Sequence, residues 1–199
     1  MKYYHDLITK KSFKVLQGLK KDFDLVLIGG WAVWLYTQAL KSKDIDLILN
    51  FDQLEKLRRK YDLVKNSRLK KYETKIEDIS IDIYLPFYSD LGFPLDQVLL
   101  KPMVLQGFKV PAKEILLILK QKAYQHRYLS FKGEKDKIDI FSLILMPDFN
   151  WQRYDQLLKA HNLLNLKNDL KKIITQTKQI KELNLNQHQL SKLKKALLF

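Results

Sequence analysis

Two glycines and two aspartates, separated by residues 31 to 43, are the residues of this chain best suited to chemistry. Gly29-Gly30 opens the stretch GGWAVWLYTQALKSKDIDL, which closes on Asp44-Ile45-Asp46. Side chains alternate along a strand, so the two aspartates would share one face, and paired carboxylates suit a hard cation such as Mg²⁺. Glycines let the backbone approach phosphates closely, and a helix N-terminus favours negative charge. The pattern predicts a site for a divalent metal and a phosphate chain.

The apolar pattern on both sides predicts the elements that would position these residues. Leu25 to Ile28 would form a short strand, Trp31 to Leu40 the helix after the turn, and Ile45 to Leu49 a second strand. The alternative interpretation is a surface hairpin with two solvated aspartates, because any surface strand can carry an Asp-x-Asp pattern. The glycine turn and the flanking apolar strands favour the first interpretation.

A third carboxylate is offered by the segment ISIDIY, which runs from Ile79 to Tyr84. Its alternation predicts a strand with three isoleucines buried and Asp82 on the opposite face. If this strand lies beside the second strand, Asp82 points to the same side as Asp44 and Asp46. Asp78 and Asp90 are the alternatives, but neither lies in the middle of a strand.

The glycine pair, the spacing and Ser42 together resemble the signature of the DNA polymerase β-like nucleotidyltransferase superfamily. The local sequence from Gly29 to Leu47 is most similar to the minimal nucleotidyltransferases of prokaryotes. This group includes the toxins of type IV abortive-infection toxin–antitoxin systems. The resemblance implies an α/β (α+β) fold: a small mixed sheet with packed helices and a C-terminal helical region. It implies that Asp44, Asp46 and Asp82 are catalytic and hold two Mg²⁺ ions, or Mn²⁺ in their place.

The second half of the chain is predicted to be mainly helical. Helices are expected over about 112–128 and 135–145, with Gly133 as the break between them, whereas residues 86–110 are expected to be loop and short strand. Lys120 and Arg127 are two helical turns apart and therefore share a stripe beside the apolar face. The chain is accordingly predicted to divide into a core of residues 1–110 and a helical region of residues 111–199.

This helical segment also resembles the corresponding half of the minimal nucleotidyltransferases. The resemblance implies that Lys120 and Arg127 bind the triphosphate of an NTP such as ATP, together with Gly29 and Gly30 of the turn and with Ser42, two residues before Asp44. Asp136 and Asp139 match the same pattern, but a carboxylate near the start of a helix is also a favourable capping charge. For these two aspartates both interpretations stay open.

Charge indicates the class of acceptor. The chain carries a net charge of +14, and residues 101–199 hold 19 Lys and Arg against 8 Asp and Glu, whereas residues 1–100 hold 17 against 14. A basic surface favours polyanions, so RNA is the expected acceptor. The resemblance to the toxins implies the 3′ end of tRNA in particular. A protein hydroxyl stays open as an alternative, and a cationic aminoglycoside is disfavoured by the basic second half. A basic surface is also explained by solubility alone.

Location and partners follow from what the sequence lacks. It has no cysteine, no apolar run of about 20 residues and no apolar leader after Met1, so a cytoplasmic protein without a membrane partner is expected. Two further hypotheses compete with an RNA-modifying enzyme. One is a catalytically silent module that binds RNA or protein, and the other is a toxin held by an antitoxin protein.

Overall fold

The structure is a computed structural model that describes residues 6–198. The strands within this range are β1 (Val26–Ile28), β2 (Ile45–Ile48), β3 (Val64–Asn66), β4 (Lys71–Ile76), β5 (Ile79–Tyr84), β6 (Met103–Leu105) and β7 (Phe108–Val110). The helices are α1 (Asp6–Asp22), α2 (Gly29–Thr37), α3 (Phe51–Arg58), α4 (Leu95–Leu100), α5 (Lys113–Arg127), α6 (Phe131–Ile144), α7 (Trp151–Ala160), α8 (Asn165–Gln176) and α9 (Gln187–Leu198).

The strands form one mixed sheet of seven, in the order β3-β4-β5-β2-β1-β7-β6. Strand β1 pairs antiparallel with β2, and β2 runs parallel to β5 in the register that sets Asp46 beside Asp82. The predicted mixed α/β architecture is confirmed. The predicted neighbourhood of the two aspartate strands is confirmed as well, and it follows from the alternation of β5: Ile79, Ile81 and Ile83 are all buried, which leaves Asp82 on the other face.

Helix α2, which begins at the glycine turn, is covered by other elements on nearly all sides and therefore holds the turn in place. It contacts strands β1 and β2 as well as helices α5 and α6, and its sequence is accordingly apolar around most of its circumference. Trp31 is fully buried, and its indole N–H donates to Ser12 Oγ at 2.9 Å, which ties α2 to α1. The turn that begins this helix therefore rests on the centre of the hydrophobic core.

Two predictions about the second half are wrong in detail. Gly133 does not separate two helices: it lies in the first turn of α6, and the chain breaks at Ser130, whose hydroxyl caps the helix by accepting from Gly133 N–H at 3.1 Å. A Cβ at position 133 would lie 2.2 Å from the carbonyl oxygen of Arg127, so close packing explains this glycine. The segment 86–110 also contains a short helix, α4, between its loop and its hairpin.

No helix among the described residues is long and apolar enough to cross a membrane. The division of the chain at residue 110 stays a prediction.

Candidate active site

The glycine turn and Asp46 are in direct contact. Gly29 has a φ of +66°, a conformation that side chains disfavour, and a Cβ built on it would lie 2.0 Å from Asp46 Oδ2. Only glycine therefore allows the carboxylate to approach the backbone at the start of α2. The expected association of a Gly-Gly turn with the Asp-x-Asp pattern is present as a physical contact.

The three predicted carboxylates lie at one place on the sheet. Asp46 and Asp82 are Cα partners on parallel neighbouring strands, and Asp44 lies just before β2 begins. The side chains of Asp44 and Asp82 are 31% and 27% exposed, so both are accessible to a ligand from solvent. Burial and the neighbouring charge of Asp82 raise the pKa of Asp46. A cation bound between Asp46 and Asp82 would relieve that repulsion.

Two lysines that the sequence did not single out contact these carboxylates. Lys71 Nζ lies 2.6 Å from Asp82 Oδ2 and 2.9 Å from Glu73 Oε1. Burial opposes the charge of Lys71, but its hydrogen bonds to Asp82 and Glu73 outweigh burial and raise its pKa. Lys132 Nζ, from the first turn of α6, lies 3.7 Å from Asp44 Oδ2. The carboxylates of Asp82 and Asp44 are thus flanked by ammonium groups from β4 and α6.

The donor atoms of these side chains fit a divalent metal ion. Mg²⁺ and Mn²⁺ prefer carboxylate oxygens, and Asp46 has Asp82 beside it on the neighbouring strand and Asp44 two residues before it in the chain. Within residues 6–195, however, no three acidic or histidine side chains already converge as a ready-made ligand set. Occupation by a metal therefore calls for side-chain rotations that bring the carboxylate oxygens together.

Lys135 is the cation closest to the glycine turn, and sequence analysis missed it. Its Nζ donates to Ser42 Oγ at 3.1 Å, and a Cβ built on Gly30 would lie 2.9 Å from both of these atoms. Both Ser42 and Lys135 are buried. The available signal was the position of Lys135 three residues before the buried Ile138, on the apolar face of α6.

Lys135 is expected to make the stability of the protein depend on pH. Burial lowers its pKa to about 8, whereas a lysine in the unfolded chain titrates near 10.4. Between these values the unfolded state binds more protons, so the free energy of unfolding contributed by this residue rises with pH, by roughly 1.4 kcal/mol per unit at most. The measurement is the difference in free energy of unfolding between the wild type and Lys135→Met from pH 7 to pH 10. A difference that stays constant over this range would contradict the prediction.

Lys120 and Arg127 share a stripe on α5, as predicted, and both contact Asp136. Lys120 is buried and lies 2.6 Å from Asp139 Oδ2 and 3.2 Å from Asp136 Oδ1. Arg127 donates to both oxygens of Asp136 at 2.7 and 3.0 Å, and its side chain is 40% exposed. Asp136 is therefore no capping residue, because α6 begins five residues earlier and Asp136 is buried in this ion network. The predicted nucleotide-binding role of Lys120 and Arg127 stays a prediction.

Gly29→Ala tests the contact between the turn and Asp46. We expect a loss of stability that exceeds the roughly 1–2 kcal/mol of a left-handed non-glycine residue, because the new Cβ also displaces Asp46. Gly18→Ala is the matched control: Gly18 is exposed within α1 with no other atom within 4 Å of a built Cβ, so this variant should gain about 0.5–1 kcal/mol. Thermal and urea unfolding measure both, and equal behaviour of the two variants would contradict the assigned contact.

Comparison with solved structures identifies the fold of the chain. No protein-family model and no curated protein sequence matches the chain. Among solved structures, a protein from H. pylori with the provisional name of nucleotidyltransferase superposes with a TM-score of 0.52 at 15% identity, covering 96% of this chain and 92% of that one. The nucleotidyltransferase ANT(2")-Ia, in complex with adenylyl-2"-tobramycin, gives 0.51 at 14%, covering 77% of this chain and 96% of its own. This chain shares the nucleotidyltransferase fold.

Proposed function

We propose that this protein is a metal-dependent nucleotidyltransferase that moves an NMP from an NTP to a hydroxyl group of an acceptor. The observation that carries the proposal is the pairing of Asp46 with Asp82 on neighbouring central strands, with Asp44 two residues before Asp46 and with Asp46 in contact with Gly29. The shared fold supports it. A structural role alone gives no reason to place three carboxylates beside a turn that opens a helix.

The carboxylates and the glycine turn have separate tasks in this proposal. Asp44, Asp46 and Asp82 would hold the divalent metal, which, when bound, lowers the pKa of an attacking hydroxyl and neutralises phosphate charge. The backbone N–H groups at Gly29 and Gly30 would face the phosphates at the start of α2, where the helix dipole favours negative charge. The acceptor hydroxyl would lose its proton to water as its oxygen attacks the α-phosphorus, the bond between the α-phosphorus and the oxygen that bridges to the β-phosphate would break, and pyrophosphate would leave.

Cations from the helical half complete the proposed nucleotide site. Arg127 has a half-exposed guanidinium that is already fixed by two hydrogen bonds to Asp136, which suits it to bind phosphate oxygens without a large loss of side-chain freedom. Lys120 is more deeply buried than Arg127. Its ammonium is attracted most by Asp139 and Asp136, and also by Asp46. Ser42 and its partner Lys135 would stand behind the glycine turn. These positive charges would stabilise the charge that develops on the leaving pyrophosphate.

The surface next to Asp44 favours RNA as the acceptor. The loop that joins α5 to α6 and the first residue of α6 carry three large exposed side chains: Tyr128, Leu129 and Phe131, which are 53%, 87% and 54% exposed. The next residue, Lys132, is the one that reaches Asp44. Exposed aromatic rings beside lysines are the groups on which single-stranded bases stack while phosphates are neutralised. We therefore propose an RNA end, such as the 3′ end of tRNA, as the acceptor, and an antitoxin protein as the partner that would cover this loop.

A second candidate is a binding module without catalysis. The observation that favours it is the pairing of Asp82 with Lys71 and of Asp44 with Lys132, which leaves both carboxylates already neutralised by the protein. Such a module would bind RNA in a strongly salt-dependent way and without any requirement for a metal. An aminoglycoside acceptor, as in the adenylyl-tobramycin complex of ANT(2")-Ia, is disfavoured because residues 101–199 are strongly basic.

The deciding experiment is a transfer assay with each NTP labelled at its α-phosphate. Purified protein is incubated with Mg²⁺ and total tRNA, and, in parallel, with tobramycin or with protein alone. The double variant Asp44→Ala/Asp46→Ala is the control. Label on RNA only with the wild type supports the proposal and identifies both donor and acceptor. No label on any acceptor, from protein that still binds RNA, would overturn it in favour of the binding module.

A further inference from the structure

Lys71, Glu73 and Asp82 form an ion cluster on the same face of the sheet as Asp46. Lys71 and Glu73 are two residues apart on β4 and therefore point the same way, and Glu73 is the direct antiparallel partner of Asp82. The Lys71 ammonium lies between the two carboxylates, at 2.6 Å from one and 2.9 Å from the other. Its side chain is only 12% exposed, so water and salt screen this cluster less than an ion pair on the surface.

The position of this ammonium matters because Asp82 also has the carboxylate of Asp46 as its neighbour, on strand β2. Across the sheet the acidic side chains follow one another as Glu73, Asp82 and Asp46, each the register partner of the next. Three adjacent carboxylates repel one another, and each cation that binds along this row relieves part of the repulsion. Lys71 supplies one such cation from the protein itself, between Glu73 and Asp82. The Asp46 end, next to Asp44 and the glycine turn, is the end left for an ion from solution.

Building on the proposed function, we propose that Lys71 is a positioning residue that takes the place of a second divalent cation. The site then binds one ion tightly, through Asp44, Asp46 and the second oxygen of Asp82, while Lys71 holds and neutralises Asp82 through its Oδ2 atom. A second ion would have to displace an ammonium that is hydrogen-bonded to two carboxylates. This inference differs from the two ions that the family resemblance implies.

The test is the binding of Mn²⁺ without nucleotide, followed by the electron paramagnetic resonance signal of the free ion. The variants are Lys71→Met, which removes the charge; Lys71→Arg, which keeps it; and Lys75→Met, which removes an exposed lysine from the same strand. We expect one tightly bound ion in the wild type, Lys71→Arg and Lys75→Met. Lys71→Met is expected to bind a second ion at least about tenfold more tightly than the wild type does.

Thermal unfolding confirms that each variant is folded, and Lys71→Gln replaces Lys71→Met, with the same expectation, if the methionine variant does not fold. Two ions bound equally well by the wild type and by the uncharged variant would overturn the role of Lys71 while leaving the proposed transferase intact. A single ion in the uncharged variant, with unchanged affinity, would overturn it as well. No Mn²⁺ bound to any of the proteins would overturn both the inference and the metal-dependent function.

Discussion

Asp46→Asn is expected to reduce nucleotidyl transfer by at least about a thousandfold while the protein stays folded. The carboxylate of Asp46 is the one that contacts the glycine turn, so it would connect the metal to the phosphates, and asparagine keeps its shape but not its charge. Preorganised electrostatic groups of this kind are each worth roughly 10²–10³ in rate, and a lost metal ligand removes more than one of them. Initial rates at saturating Mg²⁺ and NTP measure the effect.

The same Asp46→Asn change should not lower the thermal stability of the protein, although it lowers the activity. Burial and Asp82 raise the pKa of Asp46, which means that the folded protein disfavours this charge in the absence of a cation. Asparagine removes the repulsion, so the midpoint of thermal unfolding in metal-free buffer should stay equal or rise. Asp78→Asn is the matched control, because the Asp78 side chain is almost fully exposed in the turn between β4 and β5. An active Asp46→Asn protein, or one that unfolds like a core mutant, would refute the metal assignment.

The parts of the site that the sequence predicts are those determined by periodicity within one strand or turn. Alternation in β5 places Asp82 opposite the buried isoleucines, and the parallel pairing of β5 with β2 then sets it beside Asp46. The left-handed conformation of Gly29 is likewise local, since glycine adopts it at little cost. These residues could be identified because a strand allows only two directions for a side chain, and a buried face excludes one of them.

The lysines could not be placed in this way. Ser42 and Lys135 are in contact although 93 positions separate them along the chain. A pattern states which face of α6 is buried, but it does not state which strand or turn that face meets. A lysine side chain is also long and flexible, so its ammonium can lie far from the direction of its Cβ, as it does where Lys71 reaches Asp82 from β4. The same limit explains why the role of Gly133 was predicted wrongly. Glycine is needed there because the backbone of Arg127, across the loop between α5 and α6, lies too close for a side chain.

Lys120→Met is expected to have the largest effect on stability, about 3–5 kcal/mol. Lys120 is buried between Asp136 and Asp139, and removing one member of a buried ion network leaves a charge without compensation. The charge of Asp139 would lose the most stabilisation. Asp139 is fully buried, and neither of its oxygens has a hydrogen bond among the described residues beyond this ion pair. Urea unfolding measures the loss, and Lys122→Met, a partly exposed position on the same helix, is the control.

The double variant Lys120→Met/Asp139→Leu separates the structural role of Lys120 from its proposed role at the nucleotide. Replacing both charges with apolar side chains removes the uncompensated carboxylate, so most of the stability should return, while Arg127 continues to pair with Asp136. If Lys120 also neutralises charge on the nucleotide, transfer should stay roughly a hundredfold below the wild type despite the restored fold. Recovery of both stability and transfer would instead assign Lys120 to the ion network alone and leave Arg127 and Lys135 as the cations proposed to bind the triphosphate.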